Sequence, residues 1–154
     1  FSKRQQEAVT TFCNNGGNII VSGAFVGTDL WDNPYSTEKD RKWAQTTLKY
    51  KWRNNNGAVT GRLKAVPSPF PSVAGQYNIQ QQVHVVEHPD AIEPADENTF
   101  TIFRYSENNL SAGILYKGDR YNSCILGFPI EAIKGEENRK RLIKGIMETI
   151  NEKH

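Results

Sequence analysis

Gly16-Gly17-Asn18-Ile19-Ile20-Val21-Ser22-Gly23-Ala24 is the stretch on which the fold turns. The glycine pair suits a tight turn, and Ile19-Ile20-Val21 is a short, unbroken apolar run. A run without alternation predicts a central strand covered on both faces, as in a parallel sheet. Ser22-Gly23-Ala24 then gives a sharp, small-residue exit. A helix precedes it: Ser2 and Gln5 have capping-box spacing, and Ala8, Val9, Phe12 and Cys13 recur on one helical face. Asn14-Asn15-Gly16-Gly17 closes that helix, because Asn and Gly tolerate the left-handed cap conformation. A helix feeding a buried strand through a glycine turn is an α/β unit.

Downstream, residues 23–35 read as loop, with Gly23, Gly27, Asp29, Asp32, Asn33 and Pro34 interrupting every period. Thr37 caps a second helix whose inward stripe is Trp43, Ala44, Thr47 and Leu48. From Tyr50 to Pro94 the pattern is least regular. Pro67, Pro69, Pro71, Pro89 and Pro94 break it, leaving short strands over 58–65 and 82–86. Strands are predicted over 99–105, 111–116 and 121–128, the last two joined by the hairpin turn Lys117-Gly118-Asp119-Arg120. The closing helix runs from about Glu136 to Asn151, burying Leu142, Ile143, Ile146, Met147 and Ile150. Residues 1–154 thus read as one α/β domain.

The chain has 154 residues, enough for one domain with its own core. Its net charge is +2, with basic and acidic residues interspersed. That leaves no nucleic-acid footprint, which needs Lys and Arg gathered on one face; the runs at Lys39–Lys42 and Arg139-Lys140-Arg141 read as solvated helix faces. No apolar run approaches the roughly 20 residues of a membrane span. Cys13 and Cys124 sit in apolar patterns and read as buried free thiols rather than a disulfide framework. The sequence opens at Phe1 with no visible signal peptide, and it reads as a piece of a larger protein.

A second segment, Gly127-Phe128-Pro129-Ile130-Glu131, follows the last predicted strand. With it come Gly16-Gly17-Asn18, Val21-Ser22-Gly23-Ala24, Gly27-Thr28-Asp29-Leu30-Trp31, Ile102-Phe103-Arg104-Tyr105-Ser106 and Ser111-Ala112-Gly113. In this order the pieces resemble the class I glutamine amidotransferase-like domain of large secreted proteins from Bacteroides-type bacteria, often labelled xanthan lyases. The resemblance implies a three-layer α/β/α sandwich of flavodoxin type with a mixed sheet. It also implies that N-terminal strands are missing, leaving an open sheet edge for a second copy to cover as a homodimer. It places the protein outside the cell, at the cell surface or in the periplasm, with the other domains of its parent chain and a polysaccharide as partners, and no cofactor.

In that family a cysteine nucleophile sits on the elbow and a His-Pro-Glu follows the late strand. Here those positions read Ser22 and Phe128, and Glu131 comes one residue late because Ile130 intervenes. A thiolate mechanism needs the cysteine, a base and a carboxylate to orient the base. Ser22 and Glu131 are what is left of it. The leading reading is therefore a non-catalytic structural or ligand-binding module.

Other constellations bear on function. His84-Val85-Val86-Glu87-His88 matches H-x-x-E-H, but the segment is β-branched and runs into Pro89. On a strand its two histidines would stand about 13 Å apart at ~3.3 Å per residue, too far to share one zinc; no metal site is expected. Trp31 and Tyr35, in the loop after the elbow, offer a stacking surface for sugars, with Asp29 and Asp32 as acceptors. Arg104-Tyr105 lies at a strand end, where open α/β sheets bind ligands, and Arg104 either pairs with Glu131 or meets an anionic sugar. Asp29, Trp31, Arg104 and Tyr105 are thus the ligand-binding candidates. Two alternatives remain open. A polysaccharide lyase would use Arg104 to neutralise a uronate and Tyr105 or His84 as base; a serine hydrolase would use Ser22 with His84 or His88.

Overall fold

Two capping boxes set the helical starts. The Ser2 hydroxyl accepts the Gln5 N–H while the Gln5 side chain accepts the Ser2 N–H, opening α1 (Lys3–Asn14). Thr37 and Asp40 repeat the arrangement at α2 (Glu38–Trp43). In this computed structural model residues 1–23, 30–31, 34–54, 62–65, 75–76 and 89–151 are described. After α1 comes β1 (Ile19–Ser22). A π-helical turn, Ala44–Leu48, extends α2, and Lys49 in the left-handed region (φ 70°) swings the chain into β2 (Tyr50–Asn54). Then follow β3 (Arg62–Ala65), β4 (Gly75–Gln76), β5 (Ala91–Pro94), β6 (Thr99–Tyr105), β7 (Ser111–Lys117) and β8 (Asn122–Leu126). A short 3-10 turn, Ile130–Ala132, leads to α3 (Glu136–Ile150).

The architecture is mixed α/β. The main sheet has the order β1-β8-β7-β6-β3-β4, and β2 pairs with β5 in a separate antiparallel ribbon. β1 runs parallel to β8, with Ser22 opposite Leu126, and every other pair in the main sheet is antiparallel. Side chains alternate across β8. Ile125 joins Ile114, Ile19 and Val21 on one face, packed with Leu48, Tyr50, Ile92, Val9 and Trp43. Cys124 and Leu126 join Leu115, Ile102 and Phe103 on the other, packed with Leu142, Ile146 and Ile150 of α3. Each fully buried aliphatic side chain is worth roughly 1.5–3 kcal/mol, so these clusters hold helices and sheet together.

Several expectations need correction. β1, expected as a central strand, pairs only with β8 among the described residues, and Ile20 is 36 % exposed. Ile143 and Met147, expected in the core, are 43 % and 45 % exposed, because Leu142, Gly145, Ile146, Thr149 and Ile150 already fill the contact stripe of α3. Phe12 is likewise 53 % exposed and lies over Gly17, where a side chain would strike its ring. The ribbon of β2 and β5 formed where prolines suggested irregular chain; Pro94 ends β5 and does not interrupt it. Of the strand expected over 58–65 only Arg62–Ala65 is described, and the one expected over 82–86 lies outside the described residues. Cys13 and Cys124 are buried free thiols, as read. Burial pushes the Cys124 thiol up to about 12, so it stays protonated at neutral pH. No helix among the described residues is long and apolar enough to cross a membrane.

Candidate functional site

The elbow and the late Gly-Phe-Pro-Ile-Glu segment meet. Parallel pairing carries β1 and β8 to the same end of the sheet, where the Gly23 N–H donates to Leu126 O at 3.3 Å. The chain then turns at Pro129 into the 3-10 turn, and the Ile130 N–H points at Ser22 Oγ across 3.5 Å. Ser22 is half-buried and Glu131 is exposed on that turn. Phe128, in that segment just after β8, is 0 % exposed and packs edge-on against Phe103, ring centroids 6.3 Å apart. It is part of the cluster beneath α3. The chain's three histidines, His84, His88 and His154, lie outside the described residues, and so does Asp29.

Gly127 fixes the start of this segment. Its N–H donates to Ala112 O (2.8 Å), and its own carbonyl accepts the Asp90 N–H (2.8 Å). The backbones approach so closely that a Cβ on Gly127 would run into the Asp90 carbonyl oxygen. Tyr105 completes the knot: it is wholly buried, and its hydroxyl donates to Asp90 O at 2.7 Å. Trp52 Nε1 donates to Asp90 Oδ1 at 3.1 Å. Tyr105, a sequence candidate for ligand binding, therefore sits inside the core as a tie between strand ends. Asp90 escaped notice because Pro89-Asp90 read only as a break.

Arg104 is placed differently. Register shifts at Thr101, Phe103 and Arg104 put both Ile102 and Phe103 into the core and leave Arg104 half-buried at the margin of β6. Its Nη1 donates to Asn109 O at 3.0 Å, within the left-handed turn that ends the β6–β7 hairpin (Asn109 φ 61°). No ion pair joins it to Glu131 among the described residues; the anticipated pairing is not formed. Instead Arg104 lines a hollow of about 420 Å³ with Arg53, Glu93, Thr101, Asn109 and Ser111. Trp31 packs against the cluster of Leu48, Tyr50 and Ile92, its Nε1 buried without a hydrogen-bond partner, while Tyr35 stands 92 % exposed.

A second hollow of about 610 Å³ lies between α1 and α2. Two hydrogen bonds cross it: Gln6 Nε2 donates to Asp40 Oδ1 (2.8 Å), and Trp43 Nε1 donates to Thr10 Oγ1 (2.8 Å). The Gln6 contact comes first among the interactions that hold the Asp40 carboxyl below its ordinary range, followed by the Thr37 N–H. That hollow is the open seam of a helix pair.

No family model matches this chain, and no curated protein matches it in sequence. What the site can do follows from its own groups. The Ile130 N–H is directed at Ser22 Oγ itself and not at a place for a substrate oxygen, and among the described residues no hydrogen bond from the Ser22 hydroxyl to a base is found. No set of three or more His, Cys, Asp or Glu side chains able to hold a metal ion is found among the described residues.

Proposed function

We propose that this chain is a non-catalytic amidotransferase-like module of a secreted multidomain protein, serving as a structural or ligand-binding unit. The observation that carries the reading is the meeting of Ser22 with the Ile130 N–H while Phe128 is sealed in the core. On this reading the residue that would stand in the base's place serves packing instead. Burial on both faces of the sheet supports the finer fold assignment, a three-layer α/β/α sandwich of flavodoxin type. Binding then falls to groups outside the elbow, Arg104 first among them.

The test is chemical. A fluorophosphonate that labels activated serines is expected to leave Ser22 unmodified, with no ester or amide hydrolysis above background. Labelling at Ser22 that disappears in Ser22→Ala would replace this reading with a serine hydrolase whose base comes from His84 or His88.

A further inference from the structure

The hollow at Arg104 has the composition of a site for a small acidic ligand. It is built where two separate sheets meet: Arg53 and Glu93 come from the β2–β5 ribbon, and Thr101, Arg104 and Ser111 from β6 and β7. Arg53 Nη1 is already held by Glu93 Oε1 at 3.0 Å. Among the described residues Arg104 has no such carboxylate, and apart from Nη1, which serves Asn109 O, its guanidinium donors have no partner there. The three charged side chains that line the hollow therefore sum to one positive charge, +2 from Arg53 and Arg104 and −1 from Glu93. Thr101 Oγ1 donates to Ser111 Oγ at 3.2 Å, which leaves the Ser111 hydroxyl proton to offer elsewhere. The volume, about 420 Å³, falls in the ~300–1,000 Å³ range of small-molecule sites.

Resting on the ligand-binding reading above, we propose that this hollow binds a hydroxylated monocarboxylate, a sugar acid, with Arg104 as its anchor. A planar guanidinium fork matches a carboxylate in bidentate fashion. A single net positive charge balances a monoanion, and the Glu93 carboxylate at the wall disfavours a doubly charged phosphate. The same carboxylate, with Ser111 Oγ and the Asn109 amide, suits ring hydroxyls, which both donate and accept.

The experiment is a titration of the full chain with D-glucuronate, D-glucose and inorganic phosphate, followed by amide and Arg Nε resonances. Expected are saturable shifts at Thr101, Arg104, Asn109 and Ser111 with glucuronate, none with glucose, and weaker binding of phosphate. Arg104→Gln should lower glucuronate affinity roughly tenfold or more, the loss of a charge-assisted pair. Because Arg104 also steadies the hairpin, Ser111→Ala serves as a second variant; it should weaken glucuronate binding severalfold while, in the free protein, resonances beyond Thr101 and the residues flanking 111 stay in place. Phosphate binding more tightly than glucuronate overturns the assignment, as does the absence of saturable shifts at these residues. Either result leaves the phosphonate outcome at Ser22 untouched, so this proposal and the non-catalytic reading fail separately.

Discussion

Phe128 follows β8 as a core residue, and its surroundings set the cost of changing it. The ring is wholly buried against Phe103 and the apolar face of α3. Truncating such a residue removes its transfer energy and leaves a cavity, about 3–5 kcal/mol together. Phe128→Ala is therefore expected to lower unfolding free energy by that amount in urea titrations. Phe128→His, which would place a histidine before Pro129, should also destabilise the fold and give no hydrolysis. Its imidazole would enter an apolar cluster without a hydrogen-bond partner, at a cost of about 1–3 kcal/mol beyond the lost packing. Gain of activity in that variant would mean the ring can turn out toward Ser22, and the packing argument would fail. Gly127 next to it is as sensitive for a different reason. Any Cβ there meets the Asp90 backbone, so Gly127→Ala should cost about 1–3 kcal/mol of overpacking and loosen the Tyr105–Asp90 bond. The Tyr105 hydroxyl proton, sheltered in the native protein, would then exchange faster by NMR.

At the scale of elements, local signals proved legible and non-local ones did not. The starts of α1 and α2 were readable because capping is local, a capping box at Ser2–Gln5 and a cap residue at Thr37, which the structure completes with Asp40. The second makes a prediction about acid. Hydrogen bonds from the Gln6 side chain and the Thr37 N–H favour the charged Asp40 carboxylate, holding its pKa below the ordinary 3.8. A carboxyl depressed in the folded state contributes stability that is complete above its unfolded pKa and is lost as pH falls through the folded one. The urea midpoint should thus drop as the pH falls below about 5 and go on falling past the ordinary carboxyl value. The drop should be smaller in Asp40→Asn; equal drops in the two proteins would remove Asp40 from the account. The β2–β5 ribbon could not be read the same way. Its strands lie some 40 residues apart in the chain, and pairing across that distance leaves no local mark. Arg104 was legible as a candidate from its place at a strand end. Its hollow was not, because Arg53 and Glu93 arrive from that unread ribbon and the bulge in β6 decides which side chains face outward.

For the whole molecule the informative feature is the free side of β1. Parallel pairing with β8 uses the N–H and C=O groups on one side of the strand, and those on the other side have no strand partner among the described residues. Edge strands of soluble proteins are commonly blunted by a charge, a proline or a bulge. Ile19-Ile20-Val21-Ser22 has none of these, and Ile20 within it and Phe12 on α1 stand exposed. A second copy related by a two-fold axis would present the same edge running the opposite way, so the two strands would pair antiparallel and extend the sheet across the dimer. Sedimentation velocity over a wide concentration range is expected to show reversible dimers. Ile20→Lys places a charge on the edge at a site that is already partly solvated, and it should shift the population to monomer while leaving the thermal midpoint nearly unchanged. A wild-type chain that remains monomeric at the highest concentration would show that β1 is not a dimer interface. An I20K variant that dimerises as well as wild type would move the contact to the exposed Ile143 and Met147 of α3.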